Sequence, residues 1–432
     1  MSALNAVITP GRVSGSAAVP PSKSAAHRAV LCAALASGTS RLENLEFSQD
    51  ILATLGAVQQ LGARVQREEH SLTITGRGGS DGFATVTRPV FCNESGSTLR
   101  FLLPVFSLTA QKIRFTGAGR LMERPQDVYA QLFARQGLRF EQGPDGILIF
   151  GRLCPGAFTL PGNVSSQFIS GLLFAAPLME ADSTIEVRAP FESRSYVDLT
   201  VDAMQKFGVK VTSRSRKDGS AVYKVAAPQR YLAADLTVEA DYSQAAFLAV
   251  LGCIVGGISV TGLDASSRQG DRVILDILRR CGAKFERKGG AIVFHRSLLK
   301  ATEIDLADCP DLGPILIALG CFCNGRTVIR NAGRLRIKES DRIASMQTEL
   351  ARMGGCVEAE GETVTITGGP LHKAAEPLSG HNDHRIVMSM AITALAAGLP
   401  AVIEGAEAVR KSWPGFFEVL KGLGANIEIT GE

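Results

Sequence analysis

Apolar residues recur at helical spacing in stretches such as Ile51, Leu55, Val58 and Leu61, or Ile343, Met346, Leu350 and Met353, which predict amphipathic helices. Each such stretch ends in a glycine, and three positions on stands Val, Phe or Ile: Gly62 and Val65, Gly137 and Phe140, Gly208 and Val211, Gly282 and Phe285, Gly354 and Val357, Gly424 and Ile427. The interval is about 72 residues, so the chain is a sixfold repeat. A glycine at that place predicts a left-handed residue that ends the helix. The apolar residues beyond it predict a strand, answered by a second strand in runs such as 72–75 and 363–366.

A further helix opens each unit, over 25–36, 96–108, 166–177, 243–255, 312–323 and 385–397. Each unit therefore reads helix, strand, helix, strand, strand. Six such units divide into two groups of three, with residues 4–15 supplying a strand that pairs elsewhere. Solenoid repeats usually run to about 50 residues at most and are incomplete alone, so two similar α/β domains are the expected fold.

Length supports that division, because 432 residues exceed what one core usually serves. The expected domains are 20–235, and 1–19 together with 236–432. With 45% hydrophobic and 20% charged residues, composition is that of a soluble globular protein, not a disordered one. A net charge of +4 is too small to point to a nucleic-acid partner. No apolar run is long enough for a membrane span, and the first residues show no basic-then-apolar leader, so a cytoplasmic protein is expected. Nine cysteines form no CxxC pair and are expected as reduced, mostly buried thiols. Cys321 and Cys323 stand close together without a neighbouring histidine or second pair, so neither metal nor other cofactor is expected.

Conspicuous polar residues gather at the twelve helix starts. They include Lys23, Ser24 and Arg28; Asp50; Glu94, Ser95, Ser97 and Arg100; Arg124; Ser165, Ser166 and Gln167; Ser193 and Tyr196; Asp311; Lys338, Glu339 and Arg342; Asp383, His384 and Arg385; and Lys411. Helix starts present unpaired N–H groups and the positive end of the dipole, and so attract anions. Capping accounts for Ser48, Ser243 and Asp271. It does not account for lysines and arginines, which the dipole repels unless an anion is bound. Arg100 on its own reads as a surface cation or a structural ion pair as readily as a functional group. Together the cations predict a site for a polyanion.

The segments PPSKSAAHRA (20–29), ESGSTLRFLLP (94–104), RLMERP (120–125), VSSQF (164–168), CPDLGP (309–314), RIKESDR (336–342), DHR (383–385) and KSWPGFF (411–417) resemble, in order and over nearly the whole chain, the signature series of the 5-enolpyruvylshikimate-3-phosphate synthase family. The resemblance implies two domains, each of three βαβαββ repeats in an inside-out α/β barrel, with the active site in the interdomain cleft. It implies that shikimate 3-phosphate is held by Lys23, Ser24, Arg28, Ser165, Ser166, Gln167, Ser193, Tyr196, Asp311 and Lys338. Phosphoenolpyruvate would be held by Lys23, Gly96, Arg124, Gln167, Arg342, Arg385 and Lys411. The sequence departs from one branch of the family in having Glu94 for Asn, Ser95 for Ala, and Arg334 for an Asn that contacts the shikimate phosphate.

The implied reaction moves the enolpyruvyl group onto the 5-hydroxyl of shikimate 3-phosphate and releases phosphate, with the enzyme acting as a monomer. By the same resemblance Asp311 orients or deprotonates the hydroxyl, Glu339 handles the methylene proton and Lys23 assists the departing phosphate. Read from position alone, Asp311 is equally a helix cap and Glu339 a first-turn acid. His384 is either a fourth catalytic group or a cap or core histidine. The sister transferase acting on UDP-N-acetylglucosamine would carry a reactive cysteine that residues 105–125 lack. RNA terminal phosphate cyclases would need a nucleotide site with no motif here, and a non-catalytic anion-binding homologue would not need Lys23, Asp311 and Glu339.

Overall fold

The computed structural model describes residues 4–431. Positions 1–3 and 432, which belong to the second expected domain, lie outside the described residues. Twelve α-helices are present among them: α1 Lys23–Leu35, α2 Gln49–Gln60, α3 Gly96–Phe106, α4 Asp127–Arg135, α5 Ser166–Ala175, α6 Arg194–Lys206, α7 Tyr242–Val255, α8 Ile274–Arg280, α9 Gly313–Gly320, α10 Arg342–Arg352, α11 His384–Ala397 and α12 Phe416–Gly422. The six repeat glycines all take positive φ, 99° at Gly62, 69° at Gly137, 82° at Gly208, Gly282 and Gly354, and 93° at Gly424. Only glycine enters that region without steric cost, so each ends its helix and turns the chain into a strand.

Each repeat builds one four-stranded sheet. In the third, Ala157–Pro161 runs parallel to Ser183–Arg188, which pairs antiparallel with Ala221–Val225, and Thr212–Ser215 closes the edge. The parallel pair is joined through a helix, and the antiparallel pair Thr212–Ser215 and Ala221–Val225 through a tight turn, as βαβαββ connectivity requires. Three sheets are completed from distant sequence. Leu236–Thr237 supplies the first strand of the first repeat, parallel to Leu42 and Glu43. Gly15–Ala18 does the same for Ile258–Thr261. Leu4–Thr9 lies antiparallel between Ala401–Glu404 and Asn426–Gly431. The segment 4–15, expected as one strand, is thus two strands in two different sheets.

The chain packs as two compact units, one of Met1–Pro20 with Glu239–Glu432, the other of Pro21–Val238. The second changeover follows Val238 rather than residue 235, because Leu236–Thr237 is paired into the sheet of the unit it closes. In each unit the first helices of the repeats form the interior. Every residue of α9 is buried, and so is α7 from Tyr242 to Cys253. Helices apolar all round are stable only when covered on every side, and the sheets provide the cover. No sheet closes on itself: the inside-out arrangement consists of open four-stranded sheets around buried helices.

Seven helix starts are capped by side chains: Ser22, Ser48, Ser95, Ser165, Asp241, Asp341 and Asp383 each accept from a backbone N–H of the first turn. Ser48 fulfils the sequence expectation. Ser243 does not, because Asp241 caps α7 and Ser243 is one of its donors. Asp271 sits within the short 3₁₀ turn Gly270–Val273 and caps nothing.

Candidate active site

In the unit Pro21–Val238, Lys23 is the first residue of α1, where its charge opposes the dipole. Its Nζ lies 2.7 Å from Asp50 Oδ2 in the first turn of α2, which supplies the balancing charge. Arg28, one turn further, is buried. Nε donates to Thr200 Oγ1 at 2.8 Å, Nη1 to the Ser24 carbonyl at 2.6 Å and Nη2 to the Tyr196 carbonyl at 2.8 Å. Burial pushes its pKa down to about 10. A guanidinium has five N–H donors, so two remain for a ligand.

At α3, Ser95 caps the helix and Gly96 opens it. A Cβ on Gly96 would stand 3.0 Å from Arg124 Nη1, so the missing side chain is what lets the guanidinium lie against the helix start. Arg124 is buried, and its Nε has no hydrogen-bond partner among the described residues. Leaving such a donor unpaired costs about 1–3 kcal/mol. Arg100 stacks over Phe168 at 4.7 Å and donates to Gln167 Oε1 at 2.9 Å, while Gln167 Nε2 donates to Ser97 Oγ at 3.0 Å. Arg100 therefore fixes the amide of Gln167 at the start of α5. Ser165 caps α5 and Ser166 is buried beside it, whereas Ser193 reaches φ 52° at the start of α6.

Behind these starts runs a buried chain of hydrogen bonds. His27 Nδ1 is 2.8 Å from Thr54 Oγ1, Thr54 Oγ1 is 2.6 Å from Thr98 Oγ1, and Thr98 donates to Ser95 Oγ at 2.7 Å. Each hydroxyl has one proton. Thr98 spends its own on Ser95, so Thr54 donates to Thr98, and His27 Nδ1–H must donate to Thr54. Burial, with Lys23 and Arg28 nearby, lowers the His27 pKa well below the ordinary value, which keeps the ring neutral.

The unit containing Glu239–Glu432 gathers Asp311, Lys338, Glu339, Arg342 and Arg385. Asp311 Oδ1 is 3.3 Å from Lys338 Nζ and 3.4 Å from Arg342 Nη1, and its Oδ2 is 3.1 Å from Arg385 Nη2. Arg342 also holds Glu339 Oε2 at 2.8 Å and Asp383 Oδ2 at 2.8 Å. Burial works against the charge on Arg342, but Asp383, Glu339 and Asp311 outweigh it and raise its pKa. Lys338 is shifted down, chiefly by burial, although Asp311 opposes the shift. Arg385 Nη1 is buried without a partner among the described residues. Lys411 Nζ is 2.6 Å from the Asn382 carbonyl and 2.8 Å from Asn382 Oδ1.

Two position-based readings fall away. Asp311 lies in the 3₁₀ turn Pro310–Leu312 and caps no helix, and Glu339 precedes the Asp341 cap of α10, outside its first turn. His384 is the buried first residue of α11, its Nδ1 3.8 Å from Asp383 Oδ1. Arg334 donates to the Ala307 carbonyl. The sequence reading placed Asp50 and Asp383 at helix starts but left them out of the site, although they hold Lys23 and Arg342. An acid one repeat-helix away from an opposed cation was the available signal. Ser97 stood among the polar residues at the start of α3, and Asn382 and Thr200 carried no signal.

The arrangement can hold phosphates and carboxylates with bidentate cations, and its carboxylates can give and take protons. A family model described as EPSP synthase (3-phosphoshikimate 1-carboxyvinyltransferase) matches residues 7–420. The chain is 42% identical over 424 residues to the 3-phosphoshikimate 1-carboxyvinyltransferase of Clostridium kluyveri, covering 98% of this chain and 97% of that one. It is 39% identical to the protein of that name from Clostridioides difficile, with 98% of both chains covered. A solved structure of EPSP synthase from Acinetobacter baumannii superposes with a TM-score of 0.78 at 26% identity, over 99% of this chain and all of that one.

Proposed function

The chain belongs to the EPSP synthase family, and from that premise we propose that it transfers the enolpyruvyl group of phosphoenolpyruvate to the 5-hydroxyl of shikimate 3-phosphate, releasing phosphate. The observation that carries the reading is the buried Arg124 guanidinium against Gly96, with an Nε that has no protein partner among the described residues. A cation kept there at a cost in desolvation is explained by an anion that arrives with the substrate.

Lys23, Gly96, Arg124, Gln167, Arg342, Arg385 and Lys411 hold phosphoenolpyruvate. Ser24, Arg28, Ser165, Ser166, Gln167, Ser193, Tyr196, Asp311 and Lys338 hold shikimate 3-phosphate. Protonation of the methylene carbon by the Glu339 carboxyl makes the neighbouring carbon electrophilic. The 5-hydroxyl adds to that carbon as Asp311 takes its proton. Elimination then returns a methyl proton to Glu339 and expels phosphate, which carries away the proton that Asp311 took and whose charge Lys23 meets as it leaves.

No helix among the described residues is long and apolar enough to cross a membrane. The test is phosphate release by the purified protein from phosphoenolpyruvate with shikimate 3-phosphate, and in parallel with UDP-N-acetylglucosamine. Release with the first alone is expected, and release with the second alone would overturn the reading.

A further inference from the structure

Directly before α11 the chain makes an unusual turn: His381 and Asn382 are consecutive non-glycine residues with φ of 50° and 51°. Residues bearing a Cβ are disfavoured there, so a neighbouring structure must hold them. That structure is Glu349, in the middle of α10, whose carboxylate is nearly inaccessible at 2% exposure. Its Oε1 is 2.8 Å from His381 Nε2, and its Oε2 accepts from the Ser379 amide at 3.1 Å and from Arg352 Nη1 at 3.2 Å. Arg352 Nη1 also reaches the Pro377 carbonyl at 2.8 Å. Burial raises the Glu349 carboxyl, but the bonds from His381, Ser379 and Arg352 prevail and hold it below the ordinary range.

The turn sets two cations of the proposed site. Asn382 offers its carbonyl and Oδ1 to Lys411 Nζ, and Asp383, which follows at once, accepts from Arg342 Nε while capping α11. Neither Glu349 nor His381 is among the residues assigned to a substrate. We propose that Glu349 and His381 are positioning residues: their hydrogen-bonded contact locks the left-handed turn that fixes Lys411 and Arg342 for phosphoenolpyruvate. This rests on the functional reading above, and it names the part of the fold that keeps those cations in register.

The test compares Glu349→Gln, His381→Gly and His381→Gln in the full chain. Glycine tolerates the left-handed turn but lacks the bond, whereas glutamine can donate an amide N–H to Glu349. Glu349→Gln and His381→Gly are expected to raise the KM for phosphoenolpyruvate between about ten- and a hundredfold, with a smaller change in kcat, and His381→Gln to recover most of the loss. Amide exchange over residues 379–383 should quicken in the first two and not in the third. A role in stability alone would lower the melting temperature and leave the KM of the folded enzyme where it was. An unchanged KM in His381→Gly, or unchanged exchange over 379–383, would overturn the proposal. Should the parent release no phosphate, the functional reading falls, and exchange together with binding of phosphoenolpyruvate to the parent and His381→Gly still decides the clamp. If Glu349→Gln does not fold, the two His381 variants give the same comparison.

Discussion

Arg124 and Glu339 are expected to fail differently when changed. Arg124→Ala removes a bidentate anion contact and should raise the KM for phosphoenolpyruvate foremost, read from initial rates against each substrate. Glu339→Gln keeps size and the bond to Arg342 but not the proton, so turnover should fall by about a hundred- to ten-thousandfold, with shikimate 3-phosphate binding by calorimetry nearly intact. Unchanged turnover would move the proton to another group. His27 gives a prediction in stability. Its folded pKa lies well below 6.5, so the unfolded chain binds the proton first, and stability falls as pH drops below about 6.5. His27→Asn should flatten the dependence of urea midpoint on pH in that range, and nitrogen-15 spectra of the parent should show the Nδ1–H tautomer. The cations were legible in the sequence because they stand where a dipole repels them. That Lys23 and Arg342 answer to Asp50 and Asp383 was signalled only by an acid at a neighbouring helix start, and became plain once helices from different stretches of chain were brought side by side.

At the level of elements, glycine was the most readable signal, and two glycines should respond with opposite sign. Gly354 has φ +82°, and a Cβ there would come within 2.7 Å of the His372 ring, so Gly354→Ala should cost about 1–2 kcal/mol. Gly56 lies inside α2, and a methyl group added there would have nothing within 4 Å, so Gly56→Ala should add about 0.4–1 kcal/mol. Calorimetric melting points separate the two by several degrees, and equal shifts would refute the distinction. Repeat order, helix number and the strand after each glycine followed from local chemistry. Sheet membership did not: nothing within Leu4–Thr9 or Leu236–Thr237 says which distant strand it will meet, because pairing depends on the edge that another repeat leaves open.

Across the whole molecule, the first strands belong to a unit whose other residues begin at Glu239. Removing residues 1–18 should strip one sheet of an inner strand and another of an edge, exposing unpaired backbone. Limited proteolysis should then digest 239–432 while a fragment spanning 21–238 survives, and equal survival of both would show that those strands are dispensable. The same borrowed strand has a consequence in time. On the ribosome, Leu4–Thr9 emerges well ahead of its partners at Ala401–Glu404 and Asn426–Gly431, with the whole of the other unit made in between. At about 5–20 residues per second, the strand waits roughly 20–80 s with its hydrogen bonds to water while the unit Pro21–Val238 already has every segment it needs. A nascent chain of this protein therefore carries an unmatched β-strand until those distant partners are made, the segment a chaperone would be expected to shelter.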